Sequence, residues 1–174
     1  MNIEIREIRL KDAVSYREAL DSVCRERRFL AGVAAPSPRM TRAFIERNIA
    51  RDLPHFVALV DGRVVGWCDA IPGDPKQGSS HVARMGMGVR KDFRRRGIGR
   101  LLTEAVADKA RRGGIEKIEL GVYSSNRAAI ALYQKAGFRI EGKRLRARLL
   151  DGVYDDVLIM GLFLQPQTNV TQGR

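Results

Sequence analysis

Apolar and polar residues follow two periods along the chain, and these predict a regular order of strands and helices. Alternation with period two, or a short apolar run, is typical of a strand, whereas apolar residues three and four apart are typical of an amphipathic helix. The clearest helical spacing is that of Ile98, Leu101, Leu102, Ala105 and Val106. The patterns predict strands over residues 2–10, 55–60, 64–71, 82–90, 115–123, 138–150 and 153–164, and helices over 12–27, 41–51, 97–112 and 126–136.

The connections between these elements follow from two turns and one alternating stretch. Asp61-Gly62 and Asp151-Gly152 each join two predicted strands, and Asp-Gly supplies the positive φ values that a two-residue hairpin turn requires. Between residues 82 and 150 strands and helices alternate, which predicts parallel pairing with right-handed crossovers. We therefore predict one mixed α/β domain over residues 3–165, with helices flanking its sheet. Residues 166–174 are polar and aperiodic, and we expect a frayed tail there.

Composition narrows the class of protein further. Of 174 residues, 44% are hydrophobic and 30% are charged, which is the profile of a globular domain. The longest apolar runs are far shorter than the roughly 20 residues of a membrane-spanning helix, and the N-terminal stretch has no apolar export signal. Cys24 and Cys68 are too few and too far apart for a metal cluster or a disulfide framework. We expect a soluble cytoplasmic protein with reduced thiols, no metal and no membrane contact.

The net charge of +12 is concentrated in two stretches. Residues 90–100 carry six basic residues and one acidic residue, and residues 139–148 carry five and one. Such clusters indicate a polyanionic partner, either a nucleic acid or a phosphorylated cofactor, and a solvated basic surface is the alternative. Aromatic residues make up only 6% of the chain and no stacking or recognition-helix pattern is present, so nucleic acid is the less favoured partner.

The first basic stretch lies where a strand passes into a helix, and it predicts a phosphate site. Gly97 and Gly99 leave room for an anion near the backbone, and the unpaired amide groups and dipole of the helix start attract negative charge. Two common nucleotide motifs do not fit, because no Gly-Lys-Ser/Thr is present and Leu102 replaces the third glycine of the dinucleotide fingerprint. The side chains that supply charge around the site are Arg94, Arg95, Arg96 and Arg100.

Three motifs together resemble the GNAT family of N-acetyltransferases. Arg94-Arg-Arg-Gly-Ile-Gly99 resembles the family's pyrophosphate loop, Arg/Gln-x-x-Gly-x-Gly/Ala. The stretch from Asn126 to Phe138 is similar to its Asn-x-x-Ala-x-x-x-Tyr-x-x-x-Gly-Phe helix, and the stretch from Asp151 to Met160 resembles the last hairpin of many bacterial members. The resemblance covers residues 3–165 and implies the acyl-CoA N-acyltransferase fold, in which a mostly antiparallel sheet splays apart between two parallel strands.

The resemblance implies a site for acetyl-coenzyme A, bound as co-substrate in the gap between strands 82–90 and 115–123. The backbone of Met87 and Val89 would pair with the pantetheine amides, and the loop would bind the pyrophosphate. Gly86 and Gly88 fit a β-bulge in this strand, which we favour, or they accommodate a bulky neighbour. The residues assigned to the coenzyme are Met87, Val89, Arg94, Arg95, Arg96, Gly97, Ile98, Gly99, Arg100, Asn126 and Tyr133.

The implied reaction is direct acetyl transfer to a primary amine within a ternary complex. Tyr133 is the candidate proton donor for the leaving thiolate, because it lies two helical turns after Asn126 on about the same face. Periodicity alone would make Tyr133 a core anchor, and Asn126 can also be an N-cap. A phenol pKa of about 10 and a thiol pKa of about 8.5 make that transfer slightly uphill. Many relatives carry a Glu that acts as the general base in the region where this chain has Arg84, and arginine cannot act as a base. His81, Asp69 and Glu119 are weak alternatives, or the amine arrives partly neutral without a dedicated base.

The acceptor is constrained only by charge. The basic cluster from Lys143 to Arg148 would border the acceptor side and favour a neutral or acidic amine, such as an amino acid or a protein N-terminus, or it forms a solvated face. The alternatives to an active transferase are a non-catalytic coenzyme A-binding protein and a nucleic-acid or ribosome-binding module. The sequence leaves the oligomeric state open, a homodimer included.

Overall fold

The computed structural model describes residues 2–164, so the predicted tail at 166–174 lies outside the described residues. Seven strands and four α-helices follow one another in the predicted order. The strands are β1 (Glu4–Glu7), β2 (His55–Val60), β3 (Arg63–Pro72), β4 (Val82–Val89), β5 (Lys117–Tyr123), β6 (Arg139–Leu150) and β7 (Val153–Phe163). The helices are α1 (Ala13–Cys24), α2 (Pro38–Ala50), α3 (Ile98–Arg112) and α4 (Arg127–Lys135).

The strands form one sheet in the order β1-β2-β3-β4-β5-β7-β6. Every neighbouring pair is antiparallel except β4 and β5, which confirms the predicted mixed and mostly antiparallel sheet. Both predicted hairpin turns are present, with positive φ at Asp61 and Gly62 and again at Asp151 and Gly152. Two successive residues with positive φ match the twist of the flanking strands, which explains the Asp-Gly sequence at both turns.

Helices cover both faces of the sheet, and each face has its own apolar core. On one face α1 and α2 contribute Tyr16, Val23 and Ile45, which pack with Trp67 of β3. On the other face Leu102 and its neighbours in α3 pack with residues of α4 and of five strands. In the part of the chain that the structure describes, no helix is long and apolar enough to cross a membrane. Nor do three or more His, Cys, Asp or Glu side chains cluster there as metal ligands would.

Two helix boundaries differ from the prediction, one at the start of α2 and one at the end of α1. The helix predicted to start after Thr41 begins at Pro38, where Ser37 accepts a hydrogen bond from the Met40 amide. Proline suits the first helical position since its missing N–H needs no partner there. Thr41 is consequently buried inside α2. Helix α1 ends at Cys24, three residues earlier than predicted.

Asp12 precedes α1 as predicted, but its carboxylate does not cap that helix. It accepts hydrogen bonds from both terminal nitrogens of Arg6, at 2.7 and 2.9 Å, and from the Arg9 amide at 2.8 Å. The side chain therefore ties β1 to the start of α1, and local spacing alone gives no sign of this partner.

Candidate functional site

The two parallel strands separate partway along their length. Strands β4 and β5 pair only from Val82 to Arg84 and from Lys117 to Glu119. Beyond these residues β4 continues to Val89 and β5 to Tyr123 without pairing to each other. The separation leaves a gap in the middle of the sheet, with backbone groups of β4 facing it.

The direction of those backbone groups follows from one hydrogen bond at the end of β4. The Arg90 amide donates to the Val65 carbonyl of β3 at 2.8 Å. Because alternate residues of a strand turn their backbone groups to opposite sides, Met87 and Val89 face the gap. The Val89 carbonyl already accepts a hydrogen bond from Nε of Arg94 at 2.8 Å. Met87 and the Val89 amide are therefore the groups available for a ligand that adds along this edge.

The predicted β-bulge in β4 is wrong. Strands β3 and β4 keep one register from Gly66 opposite Val89 to Pro72 opposite Ala83. Gly88 instead makes room for a neighbour, because a Cβ atom there would lie 2.2 Å from the Trp67 ring. The alternative role of accommodating a bulky side chain is the correct one for Gly88.

The predicted anion site lies in the loop after β4 and at the start of α3. Gly97 is the N-cap of α3 and has φ of 79°, a conformation that favours glycine. Among the described residues, no backbone carbonyl accepts from the amides of Gly97, Ile98 or Gly99. A helix start with unpaired amides is a general binding site for phosphate groups. Arg95 is exposed beside this start and also has a positive φ.

Arg94 lines the cleft, and its guanidinium is also held by residues outside the loop. Its Nη1 donates to Glu26 at 2.8 Å, its Nη2 donates to the other oxygen of the same carboxylate, and its guanidinium lies 4.8 Å from the centre of the Phe29 ring. Arg94 thus binds the loop to residues 25–37, here called the α1–α2 segment. Arg95 and Arg100 line the cleft as well, and Arg100 pairs with Glu104. Arg96 lies over the Phe93 ring.

Gly99 is set against α4 and not against open space. A Cβ atom at this position would lie 2.8 Å from a methyl carbon of Leu132 and 3.7 Å from Met87. Gly99 therefore allows α3 and α4 to approach each other. A Cβ atom at Gly97 would have no described atom within 4 Å apart from those of its chain neighbours, so the space beside the Gly97 backbone is open.

Helix α4 positions the predicted Asn126 and Tyr133. Asn126 is an N-cap, since its side-chain oxygen accepts from the Ala129 amide at 3.2 Å. Tyr133 is 7% exposed, lines the cleft and packs at 5.6 Å between ring centres against Phe138. It is thus both a core residue and a wall of the cleft. Burial raises the pKa of Tyr133 well above its ordinary value, so proton transfer from the free phenol to a thiolate is more uphill than the sequence suggested.

The three candidates for the general base, His81, Glu119 and Asp69, differ in their surroundings. His81 is exposed at the start of β4, and it is not among the residues that line the cleft. Glu119 accepts a hydrogen bond from Lys117 at 2.7 Å. Asp69 of β3 is buried opposite Gly86, where a Cβ atom would be 3.5 Å from its carboxylate. Burial raises the pKa of Asp69 to about 7, the range in which a carboxylate exchanges protons at neutral pH.

The cleft built by these parts has a volume of about 600 Å³ and is lined by residues on both faces of the sheet. Met87 and Leu132 line it on the α3 and α4 face, whereas Gly121 lines it on the α1 and α2 face. Phe29 and Leu30 of the α1–α2 segment complete the second side. The motifs did not predict these segment residues, because hydrophobic side chains in a loop carry no recognisable pattern. A ligand held by the loop can therefore meet a second ligand across the sheet.

The splayed parallel pair and the glycine loop at the start of α3 define an acyl-coenzyme A-dependent transferase fold. The chain belongs to the acetyltransferase (GNAT) family, whose sequence profile matches residues 20–138. It is an acyltransferase of that family, as its motifs predicted.

Two curated relatives are similar to this chain in sequence, and a solved structure has the same fold. The chain is 33% identical over 109 residues to the L-amino acid N-acetyltransferase AaaT of Escherichia coli, which covers 62% of this chain and 67% of that protein. It is 30% identical over 126 residues to the L-methionine sulfoximine/L-methionine sulfone acetyltransferase of Pseudomonas aeruginosa, with 72% and 73% coverage. The putative acetyltransferase yncA of Salmonella typhimurium, solved with its cofactor acetyl-CoA, has the same fold with a TM-score of 0.89, at 21% identity and 95% and 96% coverage.

Proposed function

We propose that this protein transfers the acetyl group of acetyl-coenzyme A to the primary amine of an amino acid, another small amine or a peptide N-terminus. The observation that carries the proposal is the gap between β4 and β5, which leads from the open amides of the α3 start to the opposite face of the sheet. In this arrangement residues 3–165 act as one acetyltransferase domain, in which the Met87 backbone would hold the pantetheine and the amides around Gly97 would hold the pyrophosphate.

The chemistry requires a neutral amine, support for the carbonyl oxygen and a proton for the departing sulfur. Bound acetyl-coenzyme A supplies an activated acetyl thioester. The amine nitrogen forms a bond to the acetyl carbon, the carbon–sulfur bond breaks, and the phenol of Tyr133 protonates the thiolate. Because burial keeps that phenol neutral, Tyr133 holds its proton until a thiolate develops next to it.

Asp69 is the group best suited to accept the proton that the amine loses. Its carboxylate lies beneath Gly86, which lines the cleft, and its pKa of about 7 leaves it partly ionised at neutral pH. A water molecule above Gly86 would carry the proton, since Asp69 as a whole residue is only 8% exposed.

The acceptor class is supported by the relatives named for amino-acid substrates. We propose a cytoplasmic location, because neither cysteine of the chain is paired and both are buried. A homodimer would cover the apolar side chains exposed on the β6–β7 hairpin, which include Leu145, Leu149 and Val153. The competing role of a nucleic-acid-binding module receives no support from the family match.

A thermal-shift titration with acetyl-coenzyme A tests the cofactor assignment. A ligand that binds only the folded state stabilises it by about 2.7 kcal/mol at a hundredfold excess over its Kd. Gly97→Ala should remove this stabilisation, because a methyl group would project from the open side of the helix start. Gly114→Ala is the matched control, since Gly114 has φ of 80° and equally open surroundings at the far end of α3.

Both substitutions place a side chain at positive φ, so each should lower the ligand-free stability by about 1 kcal/mol. Only Gly97→Ala should lose the response to acetyl-coenzyme A. The absence of a shift in the wild-type protein at millimolar ligand would refute the cofactor assignment. Thiol release with a panel of amines then measures transfer itself.

A further inference from the structure

Arg148 differs from the rest of the basic cluster because its side chain turns inward. Its neighbours Arg144 and Arg146 are exposed, whereas the Arg148 side chain is 17% exposed. Its guanidinium carbon lies 3.9 Å from the centre of the Tyr123 ring, a close cation–π contact. The basic cluster from Lys143 to Arg148 is therefore not one uniform surface, because the Arg148 side chain is mostly buried.

Two hydrogen-bond donors of the Arg148 guanidinium lack an acceptor among the described residues. Within the described residues, Nε and Nη1 of Arg148 are buried and have no hydrogen-bond partner. Nη2 is 3.8 Å from Asp155, which is longer than a hydrogen bond. The Asp155 carboxylate already accepts from the hydroxyl groups of Ser124 and Ser125, at 2.9 and 2.5 Å. Buried charged donors without acceptors are costly, and a native protein that keeps them commonly uses them.

The position of Arg148 places these donors beside the cleft. Arg148 lies opposite Asp155 in the hairpin, and Asp155 binds Ser125, which lines the cleft. Tyr123, on which Arg148 stacks, is two residues from Gly121 in the same strand and therefore on the same face. Gly121 lines the cleft on the α1 and α2 face, where the second substrate would enter.

The hairpin and the α1–α2 segment also meet at this end of the cleft. Arg27 of the segment donates to Asp151 of the hairpin turn at 2.7 Å. The contact joins the segment to the hairpin turn three residues after Arg148, so an acceptor seated between segment and hairpin has the guanidinium within its surroundings.

We propose that Arg148 binds a carboxylate group of the acceptor, which makes a free amino acid a better acceptor than its amide or a peptide N-terminus. This inference rests on the proposed acetyltransferase function. A carboxylate offers two acceptors that match guanidinium geometry. Asp155 and Asp151 lie near Arg148, and their negative charge disfavours a doubly charged phosphate in the same place.

The test compares one amine in two forms. The free amino acid that the wild-type protein acetylates best is assayed beside its carboxamide, in the wild-type protein, Arg148→Gln and Arg148→Lys. Arg139→Gln is the control, since it removes an exposed charge from the other end of the same strand. Loss of a hydrogen bond between charged groups predicts a fall in kcat/KM for the acid of about 10- to 100-fold in Arg148→Gln, mainly through KM.

The carboxamide separates recognition from folding. Its kcat/KM should change by less than about twofold in Arg148→Gln, because the amide lacks the charge that Arg148 recognises. Arg148→Lys should recover part of the activity with the acid, and Arg139→Gln should match the wild-type protein. Equal use of acid and amide by the wild-type protein, or an equal loss for both in Arg148→Gln, would overturn the proposal.

A binding measurement keeps this result distinct from the fate of the proposed function. With coenzyme A present, the same amino acid should raise the Tm of the wild-type protein but not that of Arg148→Gln. If no amine is acetylated although this shift occurs, the transferase assignment fails and carboxylate binding by Arg148 stands. If no panel amino acid shifts the wild-type Tm, carboxylate binding by Arg148 is refuted.

Discussion

Replacing Tyr133 by phenylalanine removes a single oxygen from the wall of the cleft. The ring stays packed against Phe138, and no hydrogen bond ties the phenol to any described residue. The substitution should therefore change the free energy of unfolding by less than about 1 kcal/mol, the net value of one hydrogen bond. Any large change in turnover must then come from the missing proton.

The expected kinetic effect is much larger than this structural one. General-acid catalysis contributes at least about 10²-fold, so kcat should fall by that factor, equivalent to about 2.7 kcal/mol in the activation barrier. The Kd for coenzyme A should remain nearly unchanged. Because burial raises the pKa of Tyr133 far above neutral, the ratio of wild-type to variant kcat should not vary between about pH 7 and pH 9.

The assay is steady-state thiol release with the best amine, combined with a coenzyme A titration. Tyr154→Phe is the control, since Tyr154 is an exposed tyrosine of the β6–β7 hairpin, 55% accessible. It should leave kcat unchanged. A Tyr133→Phe variant that binds coenzyme A and retains wild-type kcat would refute Tyr133 as the proton donor. It would leave the residue with its core-anchor role alone.

Two further predictions concern groups that the structure places around the cleft. The raised pKa of Asp69 means that its contribution to stability is complete below about pH 4 and is lost as pH rises through about 7. Urea unfolding should therefore show Asp69→Asn gaining about 3 kcal/mol over the wild-type protein between pH 5 and pH 8, and kcat should be lower. An unchanged difference would contradict the burial argument. Glu26→Gln frees Arg94 from the α1–α2 segment and should raise the acceptor KM about fivefold with little change in cofactor affinity. The control Glu18→Gln removes one partner of an exposed ion pair and should leave this KM unchanged. Equal KM values in the two variants would exclude an effect of the Arg94–Glu26 pair on acceptor binding.

The sequence by itself determined the order of the elements, both hairpin turns and the place of the glycine loop. These features depend on local chemistry: Asp-Gly at a turn with two positive φ values, apolar residues at helical spacing in α3, and Asn126 as the cap of α4. Each requirement is met by residues close together in the chain, so each leaves a readable pattern.

Local patterns failed where a residue of another structural element contacts the same group. Asp12 could cap α1 but binds Arg6 of β1, and Arg94, which lines the cleft, also binds Glu26, 68 residues away. Gly88 is required by the Trp67 ring across the sheet and not by a bulge. Spacing along the chain cannot show these contacts, because they exist only after the strands have paired.

The acceptor side of the cleft depended most on tertiary structure. Phe29 and Leu30 belong to a loop without periodicity, and Arg148 is one of five basic residues in a short stretch. Which of these cations is buried depends on the register of β6 against β7, which is irregular between Arg144 and Arg148. A shift of one residue would turn a strand side chain to the opposite face. The sequence therefore set the charge of the hairpin, and only the folded sheet decided which guanidinium turns inward beside the cleft.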